Sequence, residues 1–177
     1  FTFTGGAGSF NAADVVNGGA GTDTLGVAAA DAEGITTKLA NVSGIENLAL
    51  VTATTAGKSV NTTFFGDIAS LSLTKGSGGA FTATMGAGTR TINIGANTAN
   101  AALGGKLTVN DTGTGNSDTL TLANANVKAG GNAFAGNALV VNGYETVSIN
   151  TGTNTAAGQQ TLAATKLNAD SPATATT

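Results

Sequence analysis

The sequence contains no cysteine and no histidine. The absence of cysteine excludes disulfide bonds and thiolate metal sites. The absence of histidine removes most nucleophile–base pairs and most zinc sites as well. A chain of this kind that works outside the cell needs another source of stability, and a hard cation held by oxygen ligands is the first candidate.

Charged and aromatic side chains are also scarce. Charged residues make up 10% of the 177 residues, against roughly 25% in an average soluble domain. The seven basic residues are scattered singly within a net charge of −3, which argues against nucleic acid as a partner. Aromatic residues are 5%, so the core has to be thin and built mainly from Leu, Val, Ile and Phe. The polar residues are mostly Thr, Asn, Ser and Gly, a composition typical of extracellular proteins and of proteins that pack into arrays.

Long hydrophobic runs are missing. The longest, such as VAAA from Val27 and ALVV at 138–141, are far shorter than the roughly 20 residues of a transmembrane helix, so we expect no membrane insertion. The chain begins at Phe1 without a methionine and ends in a polar tail at 169–177 that holds its only proline. We therefore expect a segment of a longer polypeptide, with one β domain at 1–168 followed by a tail or linker.

The dominant pattern is alternation with period two. Apolar residues alternate with Thr, Ser or Asn, as they do in half-buried strands. The segments with this pattern are residues 1–4, 47–52, 70–74, 81–85, 90–94, 106–110, 118–122, 139–142 and 146–150. The best helix candidate, residues 31–42, is weakened by Gly34 and two adjacent threonines. The chain is therefore predicted to be all-β.

The spacing of the predicted strands favours a coiled arrangement. The strand centres follow one another at short, similar intervals, which fits a solenoid with one strand on each side of a coil. These centres are Leu71, Phe81, Ile92, Leu107 and Leu120. Asn-Gly and Asp-Gly hairpin signals between neighbouring strands are scarce. We predict a parallel β-solenoid or β-helix-like fold, with a β-sandwich as the alternative.

An internal repeat divides the domain into two related halves, at about 14–50 and 111–149. In the first half TDTLGV is followed by VSGIENLAL, and in the second SDTLTL is followed by VNGYETVSI. Each copy has a strand headed by aspartate, a connection of variable length, and a second strand that opens with glycine, a hydrophobic residue and glutamate. The repeat therefore places Asp23 with Glu46 and Asp118 with Glu145.

The stretch GGAGTDTLG at 18–26 carries the most specific signal. It matches the calcium nonapeptide G-G-x-G-x-D-x-hydrophobe-x at every fixed position. Calcium needs several carboxylate and carbonyl oxygens around one point, and glycines let the backbone curl so that its carbonyls converge. The stretch predicts a calcium site with Asp23 and the carbonyls of Gly19 and Gly21 as ligands.

With these residues and the following VSGIENL, the chain resembles the RTX-type calcium-binding proteins, and among them the surface-layer proteins and large secreted adhesins of Gram-negative bacteria. The resemblance implies export without a cleaved signal peptide, calcium-dependent assembly outside the cell, and a β-roll or β-solenoid fold. The motif is not tandem, however. GGAGSFNAA at 5–13 has Phe10 at the aspartate position, and the glycine stretch at 113–118 has one residue too many before Asp118.

An isolated nonapeptide needs acids from elsewhere to complete a site. The candidate metal ligands are Asp14, Gly19, Gly21, Asp23 and Glu46 at the first loop and Asp111, Asp118 and Glu145 at the second. Each acid also has a simpler interpretation, as a turn residue or a solvent-facing strand residue. For Asp67 we favour the role of a loop acid.

These observations predict a self-assembling structural segment of an extracellular, surface-layer-like protein of the bacterial cell surface, dependent on calcium. Its partners are other copies or adjoining segments, with cell-surface polysaccharide as a further partner. The alternatives are a calcium-stiffened module of a secreted adhesin and, with less support, a β-helix polysaccharide lyase. No catalytic residue and no enzyme activity are predicted, because no histidine is present as a base and Arg90 and Lys106 each stand alone.

Overall fold

The computed structural model describes residues 7–95, 103–125, 134, 137–150 and 165–168. In this part the chain winds into a parallel β-solenoid of about five turns. The predicted strand at 1–4 and the polar tail at 169–177 lie outside the described residues. No helix of the described part is long and apolar enough to cross a membrane.

The described elements are short strands, one α-helix and one turn of 3-10 helix. The strands are β1 (Val16–Asn17), β2 (Thr24–Val27), β3 (Val42–Ser43), β4 (Asn47–Leu50), β5 (Lys58–Asn61), β6 (Ser70–Leu73), β7 (Phe81–Met85), β8 (Thr89–Ile94), β9 (Leu107–Asp111), β10 (Thr119–Asn124), β11 (Leu139–Asn142), β12 (Thr146–Asn150) and β13 (Thr165–Asn168). The helix α1 spans Ala29–Gly34, and the 3-10 turn spans Thr62–Phe64. The helix expected at 31–42 is therefore shorter and lies earlier in the chain, since it ends at Gly34.

Strands that follow one another along the chain lie in different sheets. Sheet I contains β2, β4, β6, β8, β10 and β12 in that order, and sheet II contains β5, β7, β9, β11 and β13. The described strand pairs are parallel, and a short pair of β1 and β3 lies beside sheet I in the first coils. The predicted solenoid is thus confirmed. A hairpin-built sandwich is excluded, because it would pair neighbouring strands antiparallel.

The core consists of aliphatic side chains stacked from coil to coil. One column in sheet I runs Leu25, Leu48, Leu71, Ile92 and Leu122, in register and fully buried. The coil that joins Leu25 to its partner Leu48 is shorter than the coil that joins Ile92 to its partner Leu122. Coils of unequal length therefore keep one core, because the extra residues fall in the connections.

The outward positions of the strands carry small polar residues. In sheet II an asparagine column follows the solenoid axis, where Asn142 Nδ2 donates to Asn110 Oδ1 at 2.7 Å. Asn168 Nδ2 in turn donates to Asn142 Oδ1 at 2.5 Å. Side-chain ladders of this kind satisfy polar groups between coils, and they account for the high content of Thr, Ser and Asn.

Residues 7–13, the described part of the stretch that resembles a defective calcium loop, close the first coil. Phe10 is 2% exposed and stacks on Phe65 with 6.1 Å between ring centroids. The buried Asp31 carboxylate of α1 accepts hydrogen bonds from the amides of Gly8 and Phe10 and from the Ser9 hydroxyl. Phe10 thus fills the end of the core, and Asp31 supplies the carboxylate that this loop lacks.

Candidate metal centres at the acidic corner

Most of the acids gather on one edge of the solenoid, where the chain enters the strands of sheet I. We call this edge the acidic corner. It contains Asp23, Glu46, Asp67, Asp111, Asp118 and Glu145, together with Arg90. Strand spacing brings equivalent positions of successive coils within about 5 Å of one another. The corner therefore stacks acids that are separated in the sequence by a whole coil.

At the first loop, the glycines are required by the backbone itself. A Cβ on Gly18 would lie 1.7 Å from the carbonyl oxygen of Gly44 in the next coil. Gly19 and Gly21 have φ angles of 85° and 118°, which disfavour residues with a side chain. The Gly19 amide donates to Asn17 Oδ1 at 3.0 Å, which closes the turn. Close stacking and left-handed backbone thus account for these three glycines, independently of any metal.

Asp23 and Glu46 meet through the backbone of the aspartate. Glu46 Oε2 accepts from the Asp23 amide at 2.8 Å, and the Asp23 carbonyl accepts from the amides of Glu46 and Asn47 at 3.3 and 3.0 Å. Asp14, in contrast, binds its own turn, because its Oδ2 accepts from the Asn11 amide at 2.8 Å. The structure therefore joins Asp23 to Glu46, while the Asp14 carboxylate is already engaged locally.

The second loop repeats this connection. Glu145 Oε2 accepts from the Asp118 amide at 2.7 Å, and the Asp118 carbonyl accepts from the Glu145 amide at 3.1 Å. Gly44 and Gly143, which precede the two glutamates by the same spacing, both have positive φ, at 62° and 88°. The internal repeat is thus a structural unit in which each glutamate holds the backbone of an aspartate one coil away.

The second loop has one feature that the first lacks, a pair of adjacent carboxylates with buried oxygens. Asp118 is 5% exposed, and its Oδ1 accepts from the Gly88 amide at 2.5 Å. Asp111 Oδ1 accepts from the Gly113 amide at 2.8 Å. Asp118 Oδ2, Asp111 Oδ2 and Glu145 Oε1 are buried and have no hydrogen-bond partner. Buried acceptors without a partner are costly, and either a proton shared between the two aspartates or a bound cation reduces this cost.

A glycine stretch wraps around the two aspartates. A Cβ on Gly113 would lie 3.1 Å from Asp111 Oδ2 and 3.1 Å from Asp118 Oδ2, and one on Gly115 would lie 3.0 Å from Asp118 Oδ2. The backbone of this loop thus closely surrounds both partnerless oxygens. Burial raises the pKa of Asp111, and the neighbouring Asp118 raises it further, although the Gly113 amide acts in the opposite direction.

Tyr144 and Arg90 border the aspartate pair. Tyr144 is 2% exposed, with its hydroxyl 3.5 Å from the Gly86 carbonyl, and Arg90 Nε donates to the same carbonyl at 3.0 Å. Burial raises the pKa of the Tyr144 phenol, as do the nearby Asp111 and Asp118, whereas Arg90 lowers it. The hydroxyl of Tyr144 therefore lies within the electrostatic field of all three charged groups.

These side chains offer calcium a partial set of ligands. Among the described residues, no three acidic side chains come together as a metal-binding group. An ion at the second loop would have the two partnerless oxygens of Asp111 and Asp118 as ligands, and backbone carbonyls or water would have to complete the shell. At the first loop, Asp23 is the candidate carboxylate, and Glu46 and Asp14 each have one oxygen besides the one that accepts from a backbone amide.

Three roles at the acidic corner and at the first coil were missed by the sequence reasoning. Oε2 of Glu46 and Oε2 of Glu145 each accept from a backbone amide one coil away, a role that the sequence did not predict. Arg90 pairs with the loop acid Asp67, and Asp31 closes the first coil. For the two glutamates, the sequence did contain a signal, because each follows a glycine at the same spacing. The Arg90–Asp67 pair and the Asp31 contacts join different coils, so no local sequence pattern indicates them.

Comparisons of the chain with models of known protein families, with curated proteins and with solved structures find no match. The resemblance to RTX-type proteins thus depends on the motif residues of the chain itself. Its most specific part is the first loop, whereas the partnerless carboxylates lie at the second.

Proposed function

We propose that this chain is a calcium-stabilised, self-assembling structural segment of an extracellular surface-layer-like protein of the bacterial cell surface. The observation that carries the proposal is the pair Asp111 and Asp118, each with one buried carboxylate oxygen that has no partner. Two carboxylates side by side, with little water around them, favour the folded state when they share a proton or when a cation is bound between them, and near neutral pH the cation is the proposed partner.

The mechanism follows from the cost of burying unpaired charge. Where calcium is scarce, as in the cytosol, the repulsion between Asp111 and Asp118 weakens the folded coil and favours an unfolded, exportable chain. Outside the cell, calcium binds the folded loop, and its binding free energy becomes folding free energy. A cation present at 100 times its Kd contributes about 2.7 kcal/mol, a large share of the stability of a typical domain.

The first loop is the second site of this proposal. Asp23 and the carbonyls of Gly19 and Gly21 are its ligands, by the nonapeptide pattern, with Glu46 and Asp14 nearby in sequence or across the coil. Because Asp23 is only half-buried and the glycines are satisfied structurally, we expect this site to bind more weakly than the second one.

Assembly is attributed to the outer face of sheet I. The outward residues of sheet I are uncharged Thr, Asn, Ser, Ala and Gly in every described strand, so that copies or adjoining segments meet without burying charge. Parallel strands at the ends of a solenoid also leave edges that a neighbour has to cover. The same fold stiffened by calcium without assembly is the adhesin alternative, and a polysaccharide lyase is favoured by no described feature.

Thermal unfolding in excess EGTA and in millimolar calcium, followed with light scattering, tests the proposal. We expect calcium to raise the melting temperature and to produce ordered particles. Asp23→Ala and Asp111→Ala each remove one candidate ligand and should reduce the calcium-induced rise, the second more than the first. Glu33→Gln is the matched control, because Glu33 accepts from the Thr55 amide outside the acidic corner. Stabilisation without particles favours the adhesin module, and an unchanged melting curve refutes the calcium role.

A further inference from the structure

Arg90 is a buried cation in the middle of the acidic corner. It is the chain's only arginine and is 9% exposed. Its Nη2 donates to Asp67 Oδ1 at 2.7 Å, and its Nε donates to the Gly86 carbonyl at 3.0 Å. Asp67 belongs to the coil before Arg90, and Asp118 belongs to the coil after it. The amide of Gly88, shortly before Arg90 in the chain, is the one that binds Asp118.

We propose that Arg90 is the built-in cation of the acidic corner, which stabilises the calcium-free fold and limits how tightly the neighbouring Asp111–Asp118 pair binds calcium. The inference rests on the proposed function, since it concerns the affinity of that same site. It makes Arg90 a positioning and affinity-setting residue and does not make it a ligand.

The geometry explains why this position needs arginine. The guanidinium reaches the Asp67 carboxylate with one nitrogen and the Gly86 carbonyl with another, and both partners lie on different turns of the chain. A lysine ammonium is a point charge on a flexible stem and does not reproduce this planar fork. A Cβ on Gly86 would lie 3.1 Å from Arg90 Nη2, so this glycine leaves room for the guanidinium.

Water screens the interaction of Arg90 with Asp67 more strongly than its interaction with the aspartate pair. The Asp67 side chain is 88% exposed, so water screens its attraction to Arg90. Asp118 lies one coil after Arg90 and is 5% exposed. Its Oδ1 accepts from the amide of Gly88, two residues after Gly86, whose carbonyl accepts from Arg90 Nε. Screening is weaker there, and the positive charge acts on the aspartate pair and on any cation bound to it.

Two variants should shift calcium affinity in opposite directions. Arg90→Gln removes the positive charge, so calcium should bind about three- to tenfold more tightly, while the melting temperature in EGTA falls. Asp67→Asn removes the exposed carboxylate that partly neutralises Arg90, so calcium should bind slightly more weakly. Arg90→Lys keeps the charge and should return the affinity to near that of the wild type. A purely structural role for Arg90 predicts weaker binding or no change in all three.

Calorimetric titration of the folded proteins with calcium chloride measures these affinities. Tyr144 gives a second readout, because it is the only tyrosine and the chain has no tryptophan, so the protein's intrinsic tyrosine fluorescence reports on the acidic corner alone. Tighter binding in Arg90→Gln with weaker binding in Asp67→Asn supports the inference. Calcium binding that is unchanged or weaker in Arg90→Gln overturns it and leaves the proposed function standing.

The remaining outcomes are also decisive. If neither the wild type nor the variants bind calcium, both the inference and the proposed function are wrong. If Arg90→Gln folds only when calcium is present, the steeper calcium dependence supports the inference. If Arg90→Gln does not fold in either condition, the Asp67→Asn variant provides the test, because Asp67 is exposed and the variant is expected to fold. A calcium affinity that rises in Asp67→Asn, instead of falling, overturns the inference.

Discussion

Substitution of Asp118 by asparagine should change stability in opposite directions with and without calcium. Asparagine keeps a carbonyl oxygen for the Gly88 amide, and the Glu145 bond is made by the backbone amide of residue 118 and remains. Its new NH2 group lies where Oδ2 was and donates to the partnerless Oδ2 of Asp111. The substitution therefore has two effects at once: it removes the repulsion between two carboxylates, and it gives the buried Asp111 Oδ2 a hydrogen-bond donor.

The magnitudes follow from these two changes. Pairing a buried acceptor recovers about 1–3 kcal/mol, so Asp118→Asn in EGTA should be more stable than the wild type by about that amount. At calcium concentrations near 100 times Kd, the wild type gains about 2.7 kcal/mol and the variant, which has lost a ligand, gains little. With about 2–4 °C per kcal/mol for a chain of this size, the melting temperatures should differ by several degrees in each condition and should cross as calcium is added.

Differential scanning calorimetry in EGTA and across a calcium series provides the measurement, with Glu33→Gln as the acid-removal control. An Asp118→Asn protein that is less stable than the wild type in EGTA would show that Asp118 is a structural acceptor and that its Oδ2 is not strained. Curves that stay parallel at all calcium concentrations would exclude the second loop as a calcium site.

Three further predictions concern the fold. Phe10→Ala, which empties the end of the core against Phe65, should cost about 3 kcal/mol and lower the melting temperature by roughly 6–12 °C, as measured by circular dichroism. Gly18→Ala should lower the free energy of unfolding, measured in urea titrations, more than Gly19→Ala does, although only Gly19 has a positive φ. A Cβ at position 18 would lie 1.7 Å from the Gly44 carbonyl oxygen, whereas one at position 19 has no atom within 4 Å. In EGTA, Asp111 stabilises the fold fully below its ordinary pKa of 3.8 and loses this contribution as pH rises through its raised folded pKa, so Asp111→Asn should gain stability relative to the wild type as the pH is raised above that ordinary value.

The fold could be predicted because period-two alternation is a local property of the sequence. SLSLT at 70–74 and FTATM at 81–85 each show which residues face inward, and the structure places them in β6 and β7 on opposite sheets. KSVN, which forms β5, was missed because it buries a single apolar residue, Val60. Register between coils could not be predicted, since the loops differ in length and only three-dimensional stacking fixes which residues meet.

The candidate site shows the same division between local and stacked information. The nonapeptide identifies Asp23 from one continuous stretch, yet its first glycine is explained by contact with Gly44, one coil away. The match between Glu46 and Glu145 was visible in the sequence, whereas their bonds to the aspartate amides depend on register. Asp31 is invisible to motif reasoning because its partners at 8–10 lie in an adjacent loop that carries no acid of its own.

A parallel solenoid forces its acids to find partners across coils, because equivalent positions of neighbouring coils lie about 5 Å apart and like charges there repel. In the described part of the corner, Glu46 and Glu145 each accept from a backbone amide, and Asp67 pairs with Arg90. Asp111 and Asp118 lie next to each other, and one buried oxygen of each has no hydrogen-bond donor, from Arg90 or from any other described residue. At a pH high enough to remove any proton shared by this pair, the two aspartates need another stabilising partner. The backbone amides and the arginine that stabilise the other acids of the corner are already bound to those acids. We propose that a bound cation then stabilises the pair, and the reversal predicted for Asp118→Asn is the direct consequence of this proposal.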